Sequence, residues 1–326
     1  MWSASKLFVV AALTASAALS ARLSKFEAVE PHMGTLVRIT LYAPNAEAAT
    51  HAFEAAFAKI HEIDVVLSDY LSDSEANRVC ASAWRAPIAV SDHLFRVLDW
   101  SLRLSRETGG AFDVTLGPMI QVWREARKRG ALPDSADIAQ AGSRSGFADV
   151  TLDRRKRMVS LKRGMRFDFG GVGKGYAADA ALDLLRQMQY PRALIAASGD
   201  LAIGDPPPGA KGWAVAIEGL PQSLLLKNSA VSTSGDSEQS VTIGGIRYSH
   251  IIDKSTGVGL TSHIRVSVIA RRAIEADSYA TAISALGPQV GFEFANRSKL
   301  AALVTVAGTA MRSLVFERKA HTAARP

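Results

Sequence analysis

The sequence predicts an α+β fold: mixed, largely antiparallel sheets flanked by helices, in one domain. Three observations predict it. Helix-patterned and strand-patterned segments mix without the strict βα alternation of a doubly wound sheet. Two short alternating runs, Asp149–Leu152 and Met158–Leu161, are joined by a basic turn and read as a hairpin. The chain has 326 residues at 48% apolar content, enough for one large core or two ordinary ones. No linker, repeat or charge block interrupts it from Phe26 to Glu317, so the domain is expected over 26–317, with a short tail at 318–326.

The elements follow in order. Leu36–Leu41 alternates and reads as a strand. Asn45 can cap a helix from Ala46 to about Leu67, with Phe53, Ala56, Phe57, Ile60 and Ile63 on one face. Ser91 caps another, through Leu94, Val97, Leu98 and Leu102, stopped at Gly109-Gly110. A third helix is expected around Met119 to Lys128, before the hairpin. A strand at Arg166–Phe169 then leads through a glycine-rich turn into a helix from Lys174 to Met188. Strands are expected near Ala193–Ala197, Trp213–Ile217, Val241–Ile243 and Ile264–Ile269. Ile274–Leu286 reads as helix, and strands near Leu303 and Leu314 finish the chain.

Composition excludes several classes. Charged residues are 21%, and Gly and Pro are ordinary at 25 and 12, which excludes whole-chain disorder and collagen-like repeats. One cysteine, Cys80, excludes an intrachain disulfide framework and a Cys-based metal site. The net charge of +7 suits solubility, an anionic membrane surface or a phosphorylated ligand. No basic stripe interleaves with aromatics, so nucleic acid is not an expected partner.

Residues 1–20 hold one charge, Lys6, then an apolar run from Leu7 to Leu13, then Ala18-Leu19-Ser20 with small ends. That order predicts an export signal and a periplasmic protein. The alternative is an uncut anchor to the inner membrane, so membrane association is at most peripheral or through this segment. No cysteine follows the apolar run, so no lipid attachment is expected there.

Five segments could carry chemistry. In Asp168-Phe169-Gly170-Gly171-Val172-Gly173-Lys174-Gly175-Tyr176, glycines between a strand and a helix let backbone N–H groups approach an anion, and Lys174 adds charge. Gly175 after the lysine rules out a Walker A loop, and the dinucleotide spacing also fails. A tight packing turn is the equal alternative. Asp277 and Thr281 lie four apart on a predicted helix and offer hard oxygens suited to Mg²⁺ or Ca²⁺. By themselves two oxygens suit a helix-dipole Asp and a self-bonded Thr better. His250, in Tyr248-Ser249-His250-Ile251-Ile252-Asp253-Lys254-Ser255-Thr256-Gly257, is expected at the edge of the core, as a general base or simply bonded into a turn. Ser232–Glu238 reads as a polar loop. Thr108–Pro118, containing Ala111-Phe112-Asp113, is a helix stop followed by an extended segment.

In this order and spacing the segments resemble the ApbE-like FAD:protein FMN transferases, from Met33-Gly34-Thr35 to about Thr305. The resemblance implies a single catalytic domain. It also implies that FAD is the substrate, that Mg²⁺ is the cofactor, and that FMN passes to a Thr or Ser hydroxyl of an acceptor protein as AMP leaves. Carried over residue by residue, it implies FAD contacts at Met33, Tyr70, Ala111, Phe112, Asp113, Asp168, Lys174 and Ile252. Tyr70 would stack on the isoalloxazine. It implies metal ligands at Gly171 (by its carbonyl), Asp277, Ala280 (by its carbonyl) and Thr281. His250 falls on the histidine implicated in transfer and, with Asp277, forms the expected catalytic set. One departure stands out: where the family shows Asn-x-Gly-Gly-Asp, this chain reads Ala196-Ala197-Ser198-Gly199-Asp200. Three other functions fit the same residues: an FAD pyrophosphatase giving FMN and AMP, a non-catalytic flavin carrier, and an unrelated binding module.

Overall fold

The computed structural model describes residues 23–235 and 240–323. The expected export signal and the Asp236–Glu238 part of the polar segment lie outside the described residues.

The chain opens with a hairpin of β1 (Ser24–His32) and β2 (Thr35–Ala43). Asn45 caps α1 (Ala46–Leu67) by accepting the Ala48 N–H, as its place before an apolar-periodic run predicts. Ser74 caps α2 (Glu75–Ser82), and β3 (Ile88–Ala89) follows. Ser91 caps α3 (Asp92–Glu107). The next helix, α4 (Gly117–Arg129), carries Pro118 in its first turn and stops at left-handed Gly130. After α5 (Ser135–Gly142) comes the expected hairpin of β4 (Val150–Asp153) and β5 (Met158–Leu161), to which β3 adds an edge. The glycine-rich turn then enters α6 (Gly173–Gln187). Next come β6 (Ala193–Ala197), β7 (Asp200–Ile203), β8 (Trp213–Val215), β9 (Leu224–Leu226), β10 (Ser229–Gly235), β11 (Ser240–Ile243), β12 (Ile246–Ser249) and β13 (Ile264–Ala270). The chain closes with α7 (Ala273–Leu286), α8 (Pro288–Arg297), β14 (Ala301–Val306), β15 (Thr309–Arg312) and α9 (Leu314–Ala323).

Eight strands form the main sheet in the order β1-β2-β6-β7-β10-β13-β14-β15, every neighbouring pair antiparallel. Alternation along the strands divides its side chains between two cores. Val37, Ile39, Leu41, Ile195, Val266, Val268 and Val304 join the large core with α1, α6 and α7. Ile203, Val231, Ile269 and Leu303 join a second core with the β8–β9 hairpin and Phe316 of α9. Each such side chain contributes about 1.5–3 kcal/mol by leaving water. A satellite core of Leu116, Met119, Trp123, Ala141, Tyr248 and Ile252 ties α4 and α5 to β12. This is the expected α+β class.

Three expectations about elements are corrected. Residues 166–169 are extended, with Phe167 and Phe169 buried, but make one isolated bridge, Leu116 to Arg166, and no strand. Their backbone bonds go elsewhere: the Asp168 N–H to the Val114 carbonyl and the Phe167 N–H to Cys80 Sγ. The polar segment is not a loop at its start, because Ser232–Gly235 belongs to β10, paired with β13 throughout and, at Ser232, with β7 as well. Leu314 begins a helix, not a strand, because Ser313 Oγ accepts the Phe316 N–H at 3.2 Å and caps it. Among the described residues no helix is long and apolar enough to cross a membrane.

Candidate functional site

The site is built where α6 crosses α7. Asp179 of α6 accepts the Ala273 and Ile274 N–H groups at 2.9 and 3.0 Å, capping α7 from a neighbouring helix. Glycine allows the two backbones to touch. A Cβ on Gly175 would lie 2.3 Å from the Ala273 carbonyl oxygen, so no larger residue fits. The Gly175 N–H then reaches Asp277 Oδ2 at 3.0 Å. One turn earlier, a Cβ on Gly171 would lie 2.7 Å from Thr281 Cγ2 and 2.9 Å from Thr281 Oγ1. The bare backbone of the glycine-rich turn therefore lies against the two oxygen-bearing side chains of α7.

Asp277 is buried with two charged neighbours, Asp200 and Lys174. Lys174 Nζ bonds Asp200 Oδ2 at 2.5 Å, and the Ser232 hydroxyl donates to the other oxygen of Asp200. Burial pushes the Asp277 carboxyl up to about 7, and the Asp200 carboxylate adds to the push. Lys174 and the Gly175 N–H pull against them. Such an acid is costly to ionise alone, and a cation beside it lowers that cost. Among the described residues no cluster of three or more His, Cys, Asp or Glu could hold a metal ion. The fit to Mg²⁺ thus depends on one carboxylate together with the Thr281 hydroxyl and the Gly171 carbonyl, all hard oxygens. Ala280 fits less well. Its carbonyl, inside α7, already accepts the Ser284 hydroxyl at 2.9 Å.

A second cluster surrounds Tyr70, which is 78% exposed. The Arg124 guanidinium lies over its ring, 4.8 Å from the centroid. Arg124 also bonds Asp69, beside Tyr70, and Asp168 Oδ2 at 2.7 Å. Asp168 is buried and accepts the Gly170 N–H at 2.9 Å through its other oxygen. Burial pushes its carboxyl up, while Arg124 opposes the push. Met33 is a non-glycine residue at φ 50, held by its N–H bond to Asp64 Oδ2 at 2.9 Å. Its Cε lies 3.3 Å from where a Gly173 Cβ would stand, so Met33 touches the same turn.

The third motif meets the fifth through Lys254. Asp113 is buried and accepts the Thr115 N–H and hydroxyl at 2.9 and 2.6 Å and the Phe147 N–H at 3.1 Å, with Lys254 Nζ at 3.4 Å. Phe112 beside it is buried in the large core, and Ala111 is half-buried. Half-buried His250 follows β12, between fixed neighbours. The Ser249 carbonyl accepts the Trp123 indole N–H at 3.0 Å, and the Ile252 side chain is buried in the satellite core.

The structure thus gathers Gly171, Lys174, Asp277 and Thr281 into one cluster, with Asp168 at the head of the same turn and Met33 touching it. Arg124 and Asp200 are additions that sequence reasoning missed as site residues. Arg124 had no local signal, since its acids lie 55 and 44 positions away. Asp200 had a weak one, an acid following Ser198-Gly199 at a strand start.

Comparison with known proteins bears on what this cluster does. The ApbE family model matches residues 33–304. The chain is 31% identical to the FAD:protein FMN transferase of Treponema pallidum, over 82% of this chain and 80% of that one. It is 30% identical to the FAD:protein FMN transferase of Salmonella typhimurium, over 82% and 81%. The solved structure of the Pseudomonas stutzeri flavinyl transferase ApbE matches with a TM-score of 0.81 at 28% identity, covering 92% of this chain and 97% of that one.

Proposed function

This chain belongs to the ApbE family, and we propose that its α6–α7 cluster is a Mg²⁺-dependent centre that moves FMN from FAD to a Thr or Ser hydroxyl. The enzyme is an FAD:protein FMN transferase, with FAD as substrate and a protein as acceptor. The observation that carries the metal reading is the buried Asp277 carboxylate, held beside Thr281 and the bare Gly171 backbone. Bound there, Mg²⁺ would supply Lewis-acid neutralisation of the charge that builds on the departing AMP phosphate.

This chain's own residues do the rest. Tyr70 offers an exposed aromatic face to the isoalloxazine, and Met33 borders the turn that receives the ligand. Lys174 holds a positive charge at the start of α6, where the helix N-terminus also favours an anion such as the FAD pyrophosphate. Asp200 fixes the position of that ammonium. His250 accepts the proton of the acceptor hydroxyl as its oxygen attacks the phosphorus of the FMN half. The bond from that phosphorus to the bridging oxygen breaks, and AMP leaves with the oxygen. The product is a phosphoester flavin on the acceptor.

The order of charge, apolar run and small residues in residues 1–20 supports export to the periplasm. The test of function is incubation of the protein with FAD, Mg²⁺ and a candidate acceptor, followed by mass spectrometry. The expected result is an acceptor heavier by FMN and one AMP for each addition. Free FMN and AMP with an unmodified acceptor would make the protein a pyrophosphatase.

A further inference from the structure

Tyr70 poses a mechanical problem. It is an exposed ring on the short connection between α1 and α2, where an aromatic side chain has little to fix its rotamer. Arg124 is what touches it. The guanidinium lies over the ring, 4.8 Å from its centroid, while the residue stays largely exposed. The guanidinium itself cannot drift. It spans two carboxylates from different parts of the chain, Asp69 on the Tyr70 connection and Asp168 on the glycine-rich turn. Asp168 is in turn locked by the Gly170 N–H, and its own N–H by the Val114 carbonyl. The Tyr70 connection is held from below as well: the Asn77 amide donates to the carbonyls of Asp69 and Leu71, at 3.2 and 2.8 Å. A planar, two-pronged cation on a helix therefore ties the aromatic residue to the turn that carries Gly171 and Lys174.

We propose that Arg124 is the positioning residue of the flavin platform, holding the Tyr70 ring in register with the glycine-rich turn before FAD arrives. The inference rests on the reading of Tyr70 as the surface on which the isoalloxazine stacks. A lysine at this position could keep one ion pair with Asp168, but it lacks the flat guanidinium that lies on the ring. A role confined to folding would need only the ion pair. A positioning role needs the plane as well.

The experiment measures kcat, the KM for FAD and the melting temperature of the full chain carrying Arg124→Gln, Arg124→Lys, Tyr70→Ala, or Tyr70→Ala with Arg124→Gln. Acceptor and Mg²⁺ are held saturating. Tyr70→Ala raises the KM for FAD by about three- to tenfold, the size of one stacking contact. Arg124→Gln raises it by about two- to fivefold, with kcat within about twofold of wild type. Arg124→Lys restores the melting temperature but not the KM. In the double variant the second change adds less than about twofold, because Arg124 acts through Tyr70. If Tyr70→Ala raises KM and Arg124→Lys, stably folded, leaves it at the wild-type value, the positioning role is overturned while the platform reading stands. Multiplicative effects in the double variant also overturn it, by giving Arg124 a separate contact with the ligand. An unchanged KM in Tyr70→Ala removes the platform and this inference with it. If Arg124→Gln does not fold, the Arg124→Lys result decides alone.

Discussion

Asp277 and Cys80 are both buried, and both have raised pKa values, yet they do opposite work. The Asp277 carboxyl is pushed up to about 7 beside an ammonium, a backbone N–H and a hydroxyl-bearing helix face, surroundings that suit the proposed cation. The Cys80 thiol is pushed up to about 11 by burial, with the Phe167 N–H and the charge of Arg166 only partly opposing. Its sign is definite. The folded value lies above the ordinary thiol value of 9.0, so the neutral thiol's contribution to stability is full below about 9 and is lost as pH rises through about 11. Native protein at pH 8 should therefore resist alkylation by iodoacetamide, while protein in strong urea takes one label per chain, read by mass spectrometry. Equal labelling rates would show that Cys80 is open to solvent. That Asp277 and Thr281 share one helix face was legible from their spacing, but a metal role for them came only from the family resemblance. Their pairing with Gly171 was not legible from spacing, since the contact forms only when α6 crosses α7.

At the scale of elements, the glycine-rich turn shows why its glycines differ. Gly175 opposes backbone, and Gly171 opposes the branched side chain of Thr281. Gly175→Ala should cost about 1–3 kcal/mol as an overpacked contact and lower the melting temperature by several degrees. Gly171→Ala should cost less, because it meets a side chain and no backbone, although Thr281, whose Cβ stands 3.1 Å from the new methyl, must shift. It should also raise the Mg²⁺ concentration needed for transfer, because the Thr281 hydroxyl moves with it. The check is a thermal melt beside a Mg²⁺ titration for each variant. Equal effects on both readouts would remove the distinction. The same scale explains which elements were readable. α1 and α3 carry caps and a clear apolar stripe, and their bounds follow from the sequence. The extended run 166–169 alternates as a strand does, but its partners are a loop and a thiol, which no periodicity encodes. Ser232–Gly235 looked like a loop because small polar residues replace the usual β-branched ones. Its place between β7 and β13 buries Ser232 against Asp200. The β1 edge was not read because most of its residues are exposed, and its alternation is weak.

The whole molecule places the candidate site on the helical side of one antiparallel sheet. α6 and α7 share the large core with β6, β7, β10 and β13, so the site is backed by packed structure. The second core stiffens the opposite face without entering the site. A ligand that binds only this folded arrangement must raise its stability by mass action, about 2.7 kcal/mol at a hundred times its dissociation constant. FAD with Mg²⁺ should therefore raise the melting temperature by several degrees, and more than either alone, because their proposed sites adjoin. Strictly additive shifts would separate the two sites. The most direct measurement is the rate of FMN transfer to the acceptor against Mg²⁺ concentration, in wild type and in Asp277→Asn, with circular dichroism to confirm folding. Asparagine keeps the shape and can still accept the Gly175 N–H, but it removes the only carboxylate of the Asp277, Thr281 and Gly171 donor set. Lewis-acid stabilisation worth several kcal/mol is then lost, so transfer should slow by at least about a hundredfold and respond only weakly to added Mg²⁺. A folded Asp277→Asn protein that transfers FMN at the wild-type rate, with the same Mg²⁺ dependence, would contradict the assignment of this cluster as the catalytic centre.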